Sequence, residues 1–383
     1  MKYESIDSRV ASNNAMLRVY FIECLPAKKR GSCLAVIDLL WVMGFVSALG
    51  ISWALVPSVV RMLGNEFRPS SWRVLAGLGG APTLVMACAA SLLPPSPRYL
   101  LHRRRPEQAL AVLQQMYAIN YSKHADNYPP CDLGDCVEPC EDEDEESRGL
   151  VENVGRYFRK TGKRVLKICT PPFARVTALA AFANLLLFPG FGWFALWNAH
   201  VLQEIVGNKD DGSYKDQGCI VDTGDIGLSF LRNCHQVNDG QFQLFLLLSA
   251  SFVIGEVLLV IGIDRVGRRL STITSGLVGG TAILTLIFAS RHVTRIVLAS
   301  FFLATYATSY TTGSILVLEN YPTSVRGTAV GFVRILPHVV GFLAKYFFSM
   351  SCLSAIYIVA GLVIGAAIIA IPIPDFTNLP MRE

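Results

Sequence analysis

Apolar residues along this chain gather into long runs rather than into the short patterns of a soluble core. A helix that crosses a bilayer needs about 20 apolar residues, and about eight runs meet that length. They cover residues 33–60, 72–93, 176–201, 243–263, 271–290, 294–318, 327–348 and 352–373. The third run is interrupted by Pro189, Gly190 and Gly192. That predicts a broken or kinked helix whose freed backbone groups are satisfied by neighbouring helices. The pattern predicts an all-α membrane protein.

Composition sharpens this reading. Of 383 residues, 52% are hydrophobic and 16% charged, against roughly 25% charged in a soluble globular protein. The net charge of +5 reads as loop charge. No basic stretch is interleaved with aromatics as a single-strand binder needs, so the expected partners are a lipid bilayer and a small solute, not nucleic acid. Residues 1–16 are polar and mixed, with no apolar core of a signal peptide. The sequence has no P-loop, G-x-G-x-x-G or nucleophile–base constellation, so neither an enzyme nor a cofactor is expected. Cys131, Cys136 and Cys140, with His124, lack a standard zinc spacing, and no metal is assigned.

Loop charge sets the expected orientation. Lys28, Lys29 and Arg30 precede the first run. Arg98, Arg103, Arg104 and Arg105 follow the second, Arg265, Arg268 and Arg269 follow the fourth, and Arg326 precedes the seventh. Alternating spans put all of these on one side, which the positive-inside rule makes cytosolic, together with both termini. Between the second and third runs, residues 98–175 form the longest polar segment. Pro106–Tyr117 reads as a helix with proline in its first turn. The acidic cluster Glu141–Glu146 reads as disordered. Residues 156–167 mix Tyr157, Phe158, Val165 and Leu166 with six cations. They suit either a helix on an anionic leaflet or ordinary juxtamembrane charge.

A short pattern occurs twice. Glu23-Cys24-Leu25-Pro26-Ala27-Lys28-Lys29-Arg30-Gly31 and Glu319-Asn320-Tyr321-Pro322-Thr323-Ser324-Val325-Arg326-Gly327 both read E-x-x-P-x-x-x-R-G. Each stands just before a span, on the same side. Proline ends one helix, arginine anchors at the interface and glycine allows a tight start to the next helix. Six spans separate the copies, as in folds built from internal repeats.

These features resemble the major facilitator superfamily, sugar-porter-like. Pro94-Pro95-Ser96-Pro97-Arg98-Tyr99-Leu100 is similar to the P-E-S-P-R signature after helix six, with Pro95 in place of glutamate. Asp264-Arg265-Val266-Gly267-Arg268-Arg269 is similar to the D-R-x-G-R-R loop between helices eight and nine, although the glycine four residues before the aspartate is Val260. Trp53-Ala54-Leu55-Val56-Pro57, Ser71-Trp72-Arg73-Val74, Trp193 to Trp197 and Tyr321-Pro322-Thr323-Ser324 resemble the synaptic vesicle glycoprotein 2 family.

The resemblance implies a major facilitator fold with an incomplete N-terminal half, helices one to four being absent, and a complete C-terminal six-helix half. The implied plan is a partial N-terminal half at 1–97 (equivalents of helices five and six) and a cytosolic inter-half loop at 98–175. The C-terminal half follows at 176–375, with an extracytosolic loop at 202–242, and a cytosolic tail at 376–383. Cys219 and Cys234 in that loop are disulfide candidates.

Ionisable residues inside spans are costly and mark candidate sites. Arg334, His338, Gly341 and Lys345 share one helical face. The stripe reads either as Arg334 paired with Glu256 or Asp38, holding helices together, or as a site for an anionic or zwitterionic ligand. Aromatics Trp41, Trp193, Trp197, Tyr306 and Tyr310 suit ring or cation binding or plain packing. The resemblance points to Trp193, Trp197 and Tyr310 as cavity aromatics, although Tyr310 and Ser314 replace the family's tryptophan and aspartate. Asn184 is a further polar candidate. Glu23, Pro26, Arg30, Gly31, Asp264, Gly267, Arg268, Arg269, Glu319, Pro322, Arg326 and Gly327 form the expected gating set, with Asp264 and Arg268 pairing with each other and with the helix start near Arg326.

The expected function is movement of a small organic solute by alternating access, with a coupling ion as a further partner. The alternative is a non-transporting trafficking or scaffold protein, or a truncated isoform. Both place the chain as a multi-pass protein of the plasma membrane or an intracellular vesicle.

Overall fold

A computed structural model describes residues 17–62, 71–90, 92–102, 104–124, 127–129, 150–187, 239–347 and 352–379. All regular structure among them is helical. Helix α1 covers residues 17–24. A 3-10 turn over Ala27–Lys29 leads into α2 (Arg30–Met62) and then α3 (Ser71–Ala90). Three polar-segment helices follow: α4 (Pro97–His102), α5 (Pro106–Tyr121) and α6 (Leu150–Cys169). The remainder is α7 (Ala174–Leu187), α8 (Asp239–Val266), α9 (Arg268–Thr285), α10 (His292–Glu319), α11 (Thr323–Phe347) and α12 (Cys352–Ala370).

Each predicted run coincides with a helix over the described residues; residues 188–201 of the third run, with the break expected at Pro189, Gly190 and Gly192, lie outside them. Four helices among the described residues are long and apolar enough to cross a membrane outright, within α2, α8, α9 and α10. Helices α3 and α12 carry apolar stretches over Val74–Met86 and Ile356–Ala370 among the described residues. Helix α7 is described only as far as Leu187, and it meets the last part of α6 at a bend of 96°. Helix α5 starts at Pro106 as expected and runs on to Tyr121, where Ser122 in the left-handed region (φ 51°) ends it.

The helices pack mainly as α2 on α8, α8 on α10, and α9 on both α10 and α12. One apolar cluster joins Ile22, Leu34, Val176, Ile263, Leu318 and Val330 near the two repeats. A second joins Val42, Leu187, Leu248, Phe252, Leu303 and Val359 farther along the bundle. The outer surface stays apolar: Leu84, Leu258 and Ile261 are each about two-thirds exposed, as expected of side chains that face lipid.

Without water to exclude, helices in lipid adhere through close contact, which favours small residues at crossings. At Gly255 a Cβ would overlap the backbone carbonyl of Ala304, so α8 and α10 touch backbone to backbone. On α9, Gly276 and Gly280 meet Ala367 and Ile364 of α12. Gly262, on the same helix as Gly255, faces open space. Gly255→Ala should therefore lower the apparent melting temperature in detergent, by an amount equivalent to about 1–3 kcal/mol. Gly262→Ala should leave it unchanged or raise it. Equal behaviour of the two variants would refute the close crossing.

Candidate functional site

The two repeats lie together at one end of the bundle, and their charges pair crosswise. Glu23 of the first copy receives Arg326 Nη1 of the second at 3.3 Å. Glu319 of the second copy lies 3.6 Å from Arg30 Nη1 of the first. Proline explains the placement in both copies. Pro26 breaks the chain between α1 and the 3-10 turn with an extended backbone (ψ 147°). Pro322 directly precedes α11, its carbonyl accepting the Arg326 amide at 2.9 Å. In each copy the glutamate therefore ends one helix and the arginine starts the next.

The cluster extends beyond the repeats. Arg268 Nη2 lies 3.4 Å from Glu319 and 3.0 Å from Asp264 Oδ1. The other Asp264 oxygen accepts the Ser32 amide at 3.1 Å and the Ser32 hydroxyl. Gly31 is needed at this point, since a Cβ would fall 2.6 Å from Asp264 Oδ1 and 2.7 Å from Arg268 Nη2. Gly327 differs: nothing described lies within 4 Å of a Cβ there, so the tight start expected for both copies is found only in the first. Arg268, Glu319 and Arg326 are wholly buried. Arg326 also satisfies the helix end above it, its Nε donating to the carbonyls of Leu318 and Tyr321 at 3.2 Å each. Ser96 of the Pro94–Leu100 run donates to Glu23 at 2.6 Å.

The expected pairing of Asp264 with Arg268 is present. Their extension to Arg326 is replaced by the crosswise arrangement, in which Arg268 reaches Glu319 and Arg326 reaches Glu23. Arg269 points outward and is exposed. Its amide donates to Asp375 Oδ2 at 3.0 Å, and the Arg268 amide to Thr377 Oγ1 at 3.3 Å. A carboxylate thereby caps the start of α9, where the helix dipole favours negative charge. Gly267, at φ 92°, makes the turn that lets it approach. Tyr321 donates to Thr177 at 2.9 Å, tying α7 to this end. Burial pushes its phenol pKa up, so it stays a neutral donor.

A second set lies within the bundle. Arg18 of α1 is ion-paired with Asp38 of α2, both buried. Arg334, Tyr310 and Glu256 lie close to Arg18, so α1, α2, α8, α10 and α11 converge there. Glu256 is buried, and Thr311 donates to it at 2.7 Å. Arg334 is half-buried and donates to Ser314 over a long 3.5 Å. Neither expected partner of Arg334 is therefore engaged with it directly: Asp38 is taken by Arg18, which lies before the first apolar run and carried no expected role.

Other candidates separate from this set. The Tyr306 hydroxyl donates to the Leu187 carbonyl and ties α10 to α7. Asn184 donates to Ala180 of its own helix at 2.9 Å. Trp41 stacks on Phe45 at 6.1 Å. Trp193, Trp197, Cys219 and Cys234 lie outside the described residues. His338 falls on α11, but its side chain also lies outside them.

Removing one partner of a buried ion pair leaves the other uncompensated. Arg326→Ala and Glu23→Ala should each destabilise the protein, the arginine variant by roughly 3 kcal/mol. Their double variant should cost clearly less than the sum. Additive losses in melting experiments would show that the two side chains do not act as a pair.

The sequence family described as "Sugar (and other) transporter" matches residues 10–163. The human protein SVOPL, named as a candidate transporter, is 25% identical over 365 residues, covering 93% of this chain and 65% of SVOPL. Synaptic vesicle glycoprotein 2B of Rattus norvegicus is 30% identical over 103 residues, covering 26% of this chain and 15% of its own length. The chain thus spans less than two thirds of each of these relatives. Among solved structures, the proton:xylose symporter XylE bound to 6-bromo-6-deoxy-D-glucose matches with a TM-score of 0.63 at 15% identity, covering 96% of this chain and 69% of XylE. The partially occluded inward open form of XylE from E. coli matches less well, at 0.55 with 14% identity, covering 94% and 66%. The proteins matched are transporters and vesicle glycoproteins, not enzymes. Fold and apolar helices together make this chain an integral, multi-pass membrane protein, similar in sequence over residues 10–163 to the sugar transporter family and in parts to SVOPL and synaptic vesicle glycoprotein 2B, and similar in fold to XylE.

Proposed function

We propose that this protein is a secondary transporter for a small organic solute, working by alternating access, and that the repeat end is its cytosolic gate, closed in the state described. The observation that carries this is the crosswise pairing of Glu23 with Arg326 and Arg30 with Glu319. Each pair joins the segment before α2 to the segment around α10 and α11, so the two halves are clasped at one end and must release there for a central site to reach that side. Basic loops on the same side support a cytosolic location.

The central set supports an anionic solute. Arg18 is neutralised locally by Asp38, whereas Arg334 meets Ser314 only at long range. A half-buried guanidinium in that position suits a carboxylate or phosphate group, which it can bind through paired donors. Tyr310, also half-buried, offers a ring beside it.

Two measurements on the full native protein test this. In an uptake screen of monocarboxylates with a neutral hexose as comparator, Arg334→Ala should lower uptake of the transported acid roughly ten- to a hundredfold, with surface expression intact and Arg334→Lys partly active. Uptake of the hexose alone, or loss of folding along with uptake, would overturn the anionic reading. For the gate, the paired variant Glu23→Gln/Glu319→Gln should increase labelling of a cysteine placed at Ser314 by an impermeant maleimide from the cytosolic side. Unchanged labelling would reject the clasp.

A further inference from the structure

We propose that the cationic face of α6 is a docking surface for the anionic lipid headgroups of the leaflet at the repeat end. Five of the nine residues from Arg159 to Lys167 are cations: Arg159, Lys160, Lys163, Arg164 and Lys167. Helical spacing puts them on one face, and all five are exposed. The opposite face is spoken for. Ile168 is fully buried, Thr161 and Val165 are half-buried, and α6 packs against α11.

Orientation supplies the second observation. The axis of Arg159–Cys169 meets that of α7 at 96°, so where α7 crosses the bilayer, α6 runs along its surface. The link is short: residues 170–173 span at most about 14 Å of chain. The bend is fastened, with Thr177 Oγ1 2.7 Å from the Ile168 carbonyl and 3.0 Å from the Phe173 carbonyl, and Tyr321 bonded to Thr177. The cations are therefore held within reach of the headgroup layer, since lysine and arginine stems extend their charges towards it. Leu166, 65% exposed beside the stripe, can enter the acyl boundary, as apolar residues of interfacial helices do. A polybasic face at this depth is attracted by phosphatidylserine and phosphoinositide headgroups and is screened by salt.

This inference draws on the proposed sidedness only for which leaflet is engaged. Nanodiscs with the same lipid in both leaflets remove that dependence, so it stands or falls separately from transport. The full chain is placed in discs of phosphatidylcholine alone, or of phosphatidylcholine with phosphatidylserine, and amide exchange is followed over 159–169. Phosphatidylserine should slow exchange roughly tenfold. High salt should reverse the effect, and glutamine at all five positions should abolish it while exchange in α8–α10 is unchanged. Equal exchange in both discs overturns the proposal. So does protection that is salt-sensitive in neutral discs as well, which would assign the face to the chain's own acidic run at 141–146. Should the glutamine variant not fold, the lipid and salt responses of the native chain decide.

Discussion

Everything at the repeat end depends on burying charge in a place where charge is expensive. Arg268, Glu319 and Arg326 have no exposed surface, and ions taken out of water regain their solvation cost only through close partners and further hydrogen bonds. The crosswise pairs provide those partners. Hydrogen bonds add to them unevenly: Arg326 caps carbonyls at the end of α10, and Ser32 and Ser96 donate to Asp264 and Glu23, whereas the Glu319 carboxylate and the Arg268 guanidinium meet only opposite charge. Helix ends, proline breaks and Gly31 are all arranged so that these groups meet. A residue larger than glycine at position 31 would occupy the space where Asp264 and Arg268 meet.

The same balance suits a switch better than a rivet. A buried ion pair adds little net stability over an apolar contact, yet loses much when one partner is left alone. The cluster therefore favours states in which it is fully made or fully released and solvated, and disfavours intermediate ones. By contrast, the α8–α10 crossing at Gly255 is backbone-level packing, and the α9–α12 contact sets Gly276 and Gly280 against apolar Ala367 and Ile364, with no charge to solvate. Such contacts persist through a rigid-body motion. Under the proposed alternating access, the chemistry of each contact would divide the bundle into parts that move as bodies and a place where they part.

How much of this was legible in the sequence follows from which interactions are local. The helices were legible because lipid demands long apolar runs, and Pro106 marked the start of α5, whose end at Tyr121 lies beyond the expected Tyr117. The repeat was legible as E-x-x-P-x-x-x-R-G, and so was the Asp264–Arg268 pair, four residues apart on a helix end. Which glutamate meets which arginine was not, because Glu23 and Arg326 are brought together only by the packing of two distant segments. Arg18 was missed for a related reason: it precedes the first apolar run, yet α1 carries it into the bundle beside Asp38. The partner of Tyr306 was not legible either: its hydroxyl meets the Leu187 carbonyl, and only the fold shows that neighbour.

The central set and the repeat end are linked by shared elements rather than by contact. Helix α11 carries Arg326 at its start and Arg334 two turns later, and α10 carries Glu319 at its end and Thr311, Ser314 and Tyr310 within. Helix α2 carries Arg30 at its start and Asp38 two turns on. A rigid rotation of any of these helices moves a member of each set together. A solute that draws Arg334 towards itself therefore acts on the same body that presents Arg326 to Glu23. In the proposed cycle, occupancy of the centre and closure of the repeat end are two readings of one helix position, which is what coupling between sites requires: an element with two arrangements that both sites bias.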